Sequence, residues 1–513
     1  MNTPAPAAGL APAEVVAPPV APPATPPVTP PVASPAAPPV VAEPATLSLR
    51  EALAALAARL DGTLHLAGEA DWDTARAAWN LAVDQRPVAV VVAESAEDVA
   101  RTVETARAYG LSVAPQGTGH NAGPLADRHG LADAILLRTH AMRGVAVDVE
   151  ARVARAEAGA QWGDVVAAVA PHGLAALAGS SHDVGVVGYT LGGGLSFLAR
   201  SHGLAANQVL AVELVAADGT FHRVDAEHEP ELFWAVRGGG GNFGIVTAIE
   251  FRVFPIAQVV AGTLFFPLER TEEVLQAWAE WTEAAPESVT SIGRVLRIPP
   301  MPELPPFLSG HSFVVVEVVS QESPERTDEL LAPLRALGPA MDSVHPQATA
   351  ELLQLHMDPP GPTPGIGGGM ALADLDPDAV RAFTAAVGPE AETALLSVEI
   401  RHLGGRVRPN AARAVASANR VPEPGATAGF EAGYVVYAVG IAAPGLAEQV
   451  VASLGRLFSR IEPWRAEVEY LNFAESAGED PRRFYGEATL ERLRALRAEV
   501  DPTGVIRANH ELR

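Results

Sequence analysis

Cysteine is absent from this 513-residue chain. That removes disulfides, thiolate catalysis, cysteinyl zinc sites and iron–sulfur clusters. Lysine is absent too, so all 36 basic residues are arginine. A Walker-A phosphate loop and lysine Schiff-base chemistry, including that of pyridoxal phosphate enzymes, are therefore excluded. Aromatic residues are scarce at 5%, which argues against a stacking platform for long polysaccharides. No apolar run approaches the roughly 18–20 residues that cross a bilayer. A basic n-region followed by an apolar h-region is not readable at the N-terminus, so the expectation is a cytoplasmic rather than secreted chain. Positive charge is outweighed, with a formal net charge of −25. Nucleic acid and anionic membrane reward clustered positive charge and are not expected partners. A small-molecule ligand fits.

What is present is organised around glycine. Residues 1–46 are proline- and alanine-rich with almost no charge, a composition that buries no core and samples extended states. Folded sequence begins near Leu47. A helix is expected over 49–60, strands over 88–92 and 111–114, and a helix over 97–109 between them, as in an α/β unit. The loop that follows reads Pro115-Gln116-Gly117-Thr118-Gly119-His120-Asn121-Ala122-Gly123. Glycines let such a loop turn tightly and bring backbone N–H groups against an anion, with His120 beside whatever is bound. It is one residue too long for the Gly-x-Gly-x-x-Gly signature and lacks the acidic residue about 20 positions on, so a nicotinamide Rossmann site is the weaker reading.

A second glycine stretch, Gly185-x-x-Gly188-x-x-x-Gly192-Gly193-Gly194, and a third, Arg237 to Gly244, precede a strand over 245–253. From about 258 to 464 apolar strands (259–266, 312–319, 394–400, 434–439) alternate with helices (271–284, 323–337, 377–386, 444–459). This predicts an antiparallel sheet with helices on one face. Residues 358–369, rich in proline and glycine, are expected to form a loop. Tyr470 and Asn472 are two apart and expected on one face of a strand. His120, His129, His140, His172 and His182 match no common zinc spacing, and no metal site is expected. Ser181-His182-Asp183 are consecutive and cannot form a catalytic triad.

The ordered set resembles the berberine-bridge-enzyme-like flavoprotein oxidases, within the FAD enzymes related to vanillyl-alcohol oxidase. Trp79-Asn80 before Arg86-Pro87, Gly-Thr-Gly-His, the triple-glycine segment, Arg237-Gly-Gly-Gly-Gly-Asn-Phe-Gly, Tyr470-x-Asn472, Tyr485-Gly486 and Asp501-Pro502 carry the resemblance, which spans about residue 70 to the C-terminus. It implies an α+β chain, with a two-lobed PCMH-type FAD-binding domain over 47–257, a substrate domain over 258–464 and a tail over 465–513 returning to the first domain, after the segment 1–46 that composition marks as disordered.

The same resemblance implies FAD attached through His120, whose neutral imidazole can attack the quinone-methide form of the ring. Gly117, Thr118, Gly119, Asn121, Ser181, Val184, Gly185, Gly188, Gly244, Val246 and Asn472 would line the cofactor. Ser181 stands where many members carry a second, cysteinyl link, so attachment would be single. Val184 falls near the position that governs oxygen access to the reduced flavin. Tyr470 would be the base, helped by Arg401 or Glu399, with a small organic substrate and O2 as partners. The implied activity is hydride removal from a C–H bond bearing a hydroxyl or amine; a dehydrogenase with another acceptor, or a non-catalytic FAD-binding protein, are the alternatives.

Overall fold

The computed structural model describes residues 47–302, 305–412, 423–476 and 479–512, apart from the side chains of 127–129. The proline- and alanine-rich segment 1–46 lies outside the described residues. The rest is built on three sheets.

The first sheet has four strands in the order Thr63–His65, Ala89–Val92, Ala134–Arg138, Ser112–Gln116. The last three run parallel, and Thr63–His65 caps one edge antiparallel. Val90, Val91, Ile135 and Leu136 are fully buried, as continuous β-branched and leucine runs are in a parallel sheet covered on both faces. The helix Ala96–Ala108 makes the crossover, its first turn capped by the Ser95 side chain accepting from the Asp98 N–H.

The second sheet is antiparallel, in the order Val145–Asp148, Val153–Glu157, Ile245–Arg252, Val209–Val215, Phe221–Asp225. The third holds eight antiparallel strands, from Met341–Asp342 through Gln258–Pro267, Ser312–Ser320, Val289–Arg297, Ser397–His402 and Tyr434–Ile441 to Gly365–Leu372, with His345–Ala348 also pairing Gln258–Pro267. Alternation along these strands sorts two faces. Val314, Val316, Val398, Ile400, Val436 and Met370 pack against the helices Thr271–Ala284, Pro324–Arg335, Pro377–Val387 and Ala447–Ile461. Their odd-numbered neighbours Glu317, Glu399, Arg401 and Tyr437 point the other way. Register then sets Arg294 opposite Glu399, Glu399 opposite Tyr437, and Tyr437 opposite Gly369. One transverse row of the helix-free face is thus polar.

Two sequence expectations are corrected. Residues 358–369 are not wholly loop, because Gly365–Leu372 is a strand paired over its length with Tyr434–Ile441. Its glycines are required by close packing: a Cβ on Gly369 would lie 2.5 Å from Cβ of Phe473, and one on Gly367 would lie 2.7 Å from the Tyr437 hydroxyl. Tyr470 and Asn472 are not strand neighbours, because Leu471–Phe473 forms a 3-10 turn.

The C-terminal stretch reaches both of the first two sheets' surroundings. Its helix Glu487–Val500 buries Leu490 and Leu493 beside Phe233 and Val236, and Arg492 lies over the Trp234 ring at 3.6 Å. Beyond it, Val113 donates to the Val505 carbonyl at 2.7 Å, and Arg507 donates to the Val113 carbonyl at 2.9 Å.

Candidate active site

The strand Ser112–Gln116 delivers the chain into the glycine loop. Gly119 has φ +86°, and a Cβ there would sit 2.9 Å from that of Ala78, so this position requires glycine. Trp79 and Asn80 donate their N–H groups to the carbonyls of Thr118 (3.0 Å) and Gly119 (3.3 Å). In a trans peptide the C=O and the following N–H point in opposite directions. The N–H groups of Gly119 and His120 are therefore turned away from the 79–80 segment, as in an anion-binding nest.

Arg138 lies behind this loop, only 7% exposed. Its guanidinium donates to the Ala77 carbonyl at 2.5 Å and reaches the Gly117 carbonyl at 3.5 Å. Burial lowers its pKa to about 10, which leaves it a cation at neutral pH. Among the described residues no carboxylate pairs with it. A buried, unneutralised positive charge behind outward-facing N–H groups favours an anion.

His120 is held on three sides. Its ring stacks on Trp79 at 4.0 Å and 17°. Nδ1 lies 2.8 Å from the Thr118 hydroxyl. Nε2 lies 3.4 Å from Asp183 Oδ1 and makes no hydrogen bond among the described residues. Asp183 is itself fixed: Trp79 Nε1 donates to Oδ2 at 2.5 Å and the Ser181 hydroxyl to Oδ1 at 2.8 Å. Burial alone would raise the Asp183 pKa, but these donors and His120 outweigh it and hold the carboxyl well below the usual range. A Cβ on Gly185 would lie 3.6 Å from Thr118 Cγ2, so the second glycine segment adjoins the first.

Tyr470 and Asn472 meet despite the 3-10 turn. The Asn472 amide donates to the Tyr470 hydroxyl and to the Tyr189 carbonyl, each at 2.9 Å. Leu195 N–H also donates to the Tyr470 hydroxyl, at 3.0 Å. Burial raises the Tyr470 pKa above its ordinary value, against those two donors and the charge of Arg401, which lower it. Asn121 donates to the Ala474 carbonyl at 3.0 Å, tying the histidine loop to the segment that carries Tyr470.

The polar row of the third sheet completes the site. Arg401 holds Glu399 Oε1 at 2.9 Å, and His356 Nε2 holds Oε2 at 2.9 Å. His356 Nδ1 lies 2.7 Å from Glu317 Oε2, and Arg294 lies 3.1 Å from Glu317 Oε1. Burial opposes ionisation of Glu399, but Arg401 and His356 prevail and keep it an anion. Glu399 is thereby the counter-ion of Arg401 and His356, not a free proton acceptor. Asp358 accepts from Ser180 at 2.8 Å, linking this network to the segment that carries Asp183.

The remaining expected residues are placed differently. Gly244 has φ +154°, and a Cβ there would lie 2.7 Å from Leu214 Cδ1. Val246 is buried in the second sheet opposite Leu214. What the structure shows for both is packing. Val184 is partly buried against the core around Trp162, and Gly188 has open space where a Cβ would be.

Residues 87–225 match the family described as the FAD binding domain. The fold is shared by nearly whole solved chains. The BBE-like 1 protein of Physcomitrella patens superposes with a TM-score of 0.75 at 20% identity, over 91% of this chain and 99% of that one. A glucooligosaccharide oxidase from Acremonium strictum, described with a 6-S-cysteinyl, 8α-N1-histidyl FAD, gives 0.74 at 22% identity over 90% and 98%. Residues 87–225 thus form an FAD binding domain, set in a chain that shares the fold of these solved proteins. Among curated relatives, the (R)-6-hydroxynicotine oxidase of Paenarthrobacter nicotinovorans is 37% identical over 179 residues, 35% of this chain and 38% of that protein. The chain spans about half the length, or less, of the first curated relatives it matches.

Sequence reasoning missed three parts of the candidate site: Asp183 as the partner of His120, Arg138 behind the loop, and the Arg294–Glu317–His356 network. The carboxylate two residues beyond Ser181, the place of the family's second link, was the available signal for the first. Nothing local marked the other two.

Proposed function

We propose that the chain is an oxidase that takes a hydride from a carbon bearing a hydroxyl group on a small neutral molecule, such as a sugar, and passes the electrons to O2. The observation that carries this reading is the His120 cage of Thr118, Trp79 and Asp183 beside a cation-backed glycine loop. The residues present fit FAD. The N–H groups of Gly119 and His120, with Arg138 behind, suit its diphosphate, while Asn121 Oδ1 is a buried polar atom without a hydrogen bond among the described residues. Gly117, Thr118, Gly185 and Gly188 would line the cofactor, and His120 would bond to it. Ser181 cannot add a thioether. FAD supplies the hydride acceptor.

The chain's own residues supply the rest. Asn472 and Leu195 N–H orient the Tyr470 hydroxyl and stabilise its deprotonated form, with Arg401 as the nearby cation. Tyr470 then takes the substrate hydroxyl proton. Glu399 positions Arg401. Neutral substrates are favoured because, among the described residues of this row, Arg294, Arg401 and His356 are matched by Glu317, Glu399 and Asp358, and burial raises the pKa of the adjoining Glu475, which accepts from the Tyr437 hydroxyl.

The test is to purify the full chain, precipitate it with acid and follow the yellow colour, then assay neutral sugars and amines for peroxide. Colour held by the precipitate and released in His120→Ala, with peroxide from hydroxyl substrates, supports the reading. Substrate-driven bleaching that only a dye acceptor reverses would make the chain a dehydrogenase. Failure to take up FAD would overturn the whole reading.

A further inference from the structure

We infer that Asp183 is a positioning residue for the attachment of FAD to His120: it selects the imidazole tautomer whose Nδ1 is the nucleophile and receives the proton from Nε2. The inference rests on the proposed histidyl link and goes beyond it by assigning the residue that makes His120 reactive.

Four observations converge. The Asp183 carboxylate near Nε2 can only accept, so it selects the tautomer with the proton on Nε2 and a lone pair on Nδ1, to which the Thr118 hydroxyl can donate. Stacking on Trp79 hinders the ring flip that would exchange the nitrogens. Trp79 and Ser181 hold one carboxylate oxygen each, so Asp183 is fixed independently of His120. The backbone around it is pinned as well: Gly163 donates to the His182 carbonyl at 2.7 Å and Trp162 to the Val184 carbonyl at 3.0 Å. Ser181, at the place of the family's second link, instead braces the partner of the first.

The chemistry requires such a group. Attachment replaces a C–H bond of the flavin's 8α-methyl group and the imidazole N–H by a C–N bond, releasing two protons and two electrons. The electrons pass through the flavin to dioxygen, which with two protons becomes hydrogen peroxide. Alkylation at Nδ1 leaves a cationic imidazole still carrying its Nε2 proton. A carboxylate 3.4 Å away stabilises that cation and takes the proton after a small approach.

The experiment compares full-length wild type, Asp183→Asn and Asp183→Glu for total bound flavin, acid-stable flavin, and the rate at which added FAD becomes acid-stable between pH 6 and 9. Asparagine keeps the shape: its Oδ1 can accept from Trp79 and its Nδ2 can donate to the Ser181 hydroxyl. The expected result is normal FAD uptake by Asp183→Asn with attachment slowed by about tenfold or more, recovering as pH rises because hydroxide replaces the missing acceptor. Asp183→Glu should restore part of the rate. Attachment in Asp183→Asn at the wild-type rate, with the wild-type pH profile, overturns the inference. Should Asp183→Asn fail to bind FAD, Trp79→Phe decides: it keeps the stacking ring and removes one of the two donors on Asp183. Slower attachment at unchanged FAD content supports the role, and an unchanged rate overturns it. Acid release of flavin from wild type would instead sink the histidyl link, while loss of FAD binding by every protein would sink the cofactor reading.

Discussion

His356 bridges Glu317 and Glu399, carboxylates of two different strands, with Nδ1 2.7 Å from one and Nε2 2.9 Å from the other. Burial and Arg294 push the imidazolium pKa down, yet Glu317, Glu399 and Asp358 overcome them and raise it to about 9. A group raised on folding stabilises the native state fully below its unfolded value, roughly 6.5, and loses that contribution as pH climbs through its folded value. The melting temperature is expected to fall between pH 7 and 10. In His356→Gln the slope should flatten, and stability at pH 7 should drop by roughly 3–5 kcal/mol because two buried carboxylates lose the cation they share and each keeps only its arginine. Identical slopes in the two proteins would show that another group sets the pH dependence.

The Tyr470 hydroxyl, raised by burial and lowered by Asn472, Leu195 N–H and Arg401, predicts the shape of the rate profile. If Tyr470 is the proton acceptor, kcat/KM increases toward alkaline pH as the phenolate forms. Arg401→Gln removes a stabilising charge, so the inflection moves to still higher pH. Tyr470→Phe should abolish the inflection while flavin content stays unchanged. A flat profile in wild type would remove Tyr470 from the proton transfer.

Gly192 tests how tightly the second glycine segment closes on Asn472. A Cβ there would sit 1.8 Å from Asn472 Oδ1, so Gly192→Ala must displace the amide and break its bonds to Tyr470 and the Tyr189 carbonyl. The expected cost is about 1–3 kcal/mol, with reduced flavin per protein. Thermal unfolding and the flavin-to-protein absorbance ratio measure both, and wild-type values would mean that this packing is looser than described.

The proposed role of Val184 in oxygen access is open to a direct test. Its carbonyl is held by Trp162 N–H at 3.0 Å, which fixes the backbone from which the side chain projects. Val184→Ile adds one methylene without changing polarity. Peroxide formation should fall while turnover with a dye acceptor is retained; an equal loss of both would point to general damage instead of blocked oxygen access.

Much of the architecture is legible in one dimension. The strand expected over 394–400 overlaps Ser397–His402, along which Glu399 and Arg401 alternate with Val398 and Ile400, and the helix expected over 271–284 coincides with Thr271–Ala284. The strand Gly365–Leu372 escaped because its glycines carry no hydrophobic pattern; the reason for them, Phe473 and Tyr437 pressed against the backbone, lies elsewhere in the chain. Val289–Arg297 was passed over although it is the central strand that bears Arg294.

By itself the amino-acid sequence determined the chemistry that is impossible here, without cysteine or lysine, and the local geometry that glycine demands around His120. Only the tertiary structure decided which charges meet. Asp183 reaches His120 across two glycine segments, and Arg294, Glu399 and Tyr437 become a row through strand order and register. Periodicity states which face a side chain takes, because that follows from the backbone of its own strand. It is silent on the neighbour, which depends on how distant strands pair when the whole core is buried.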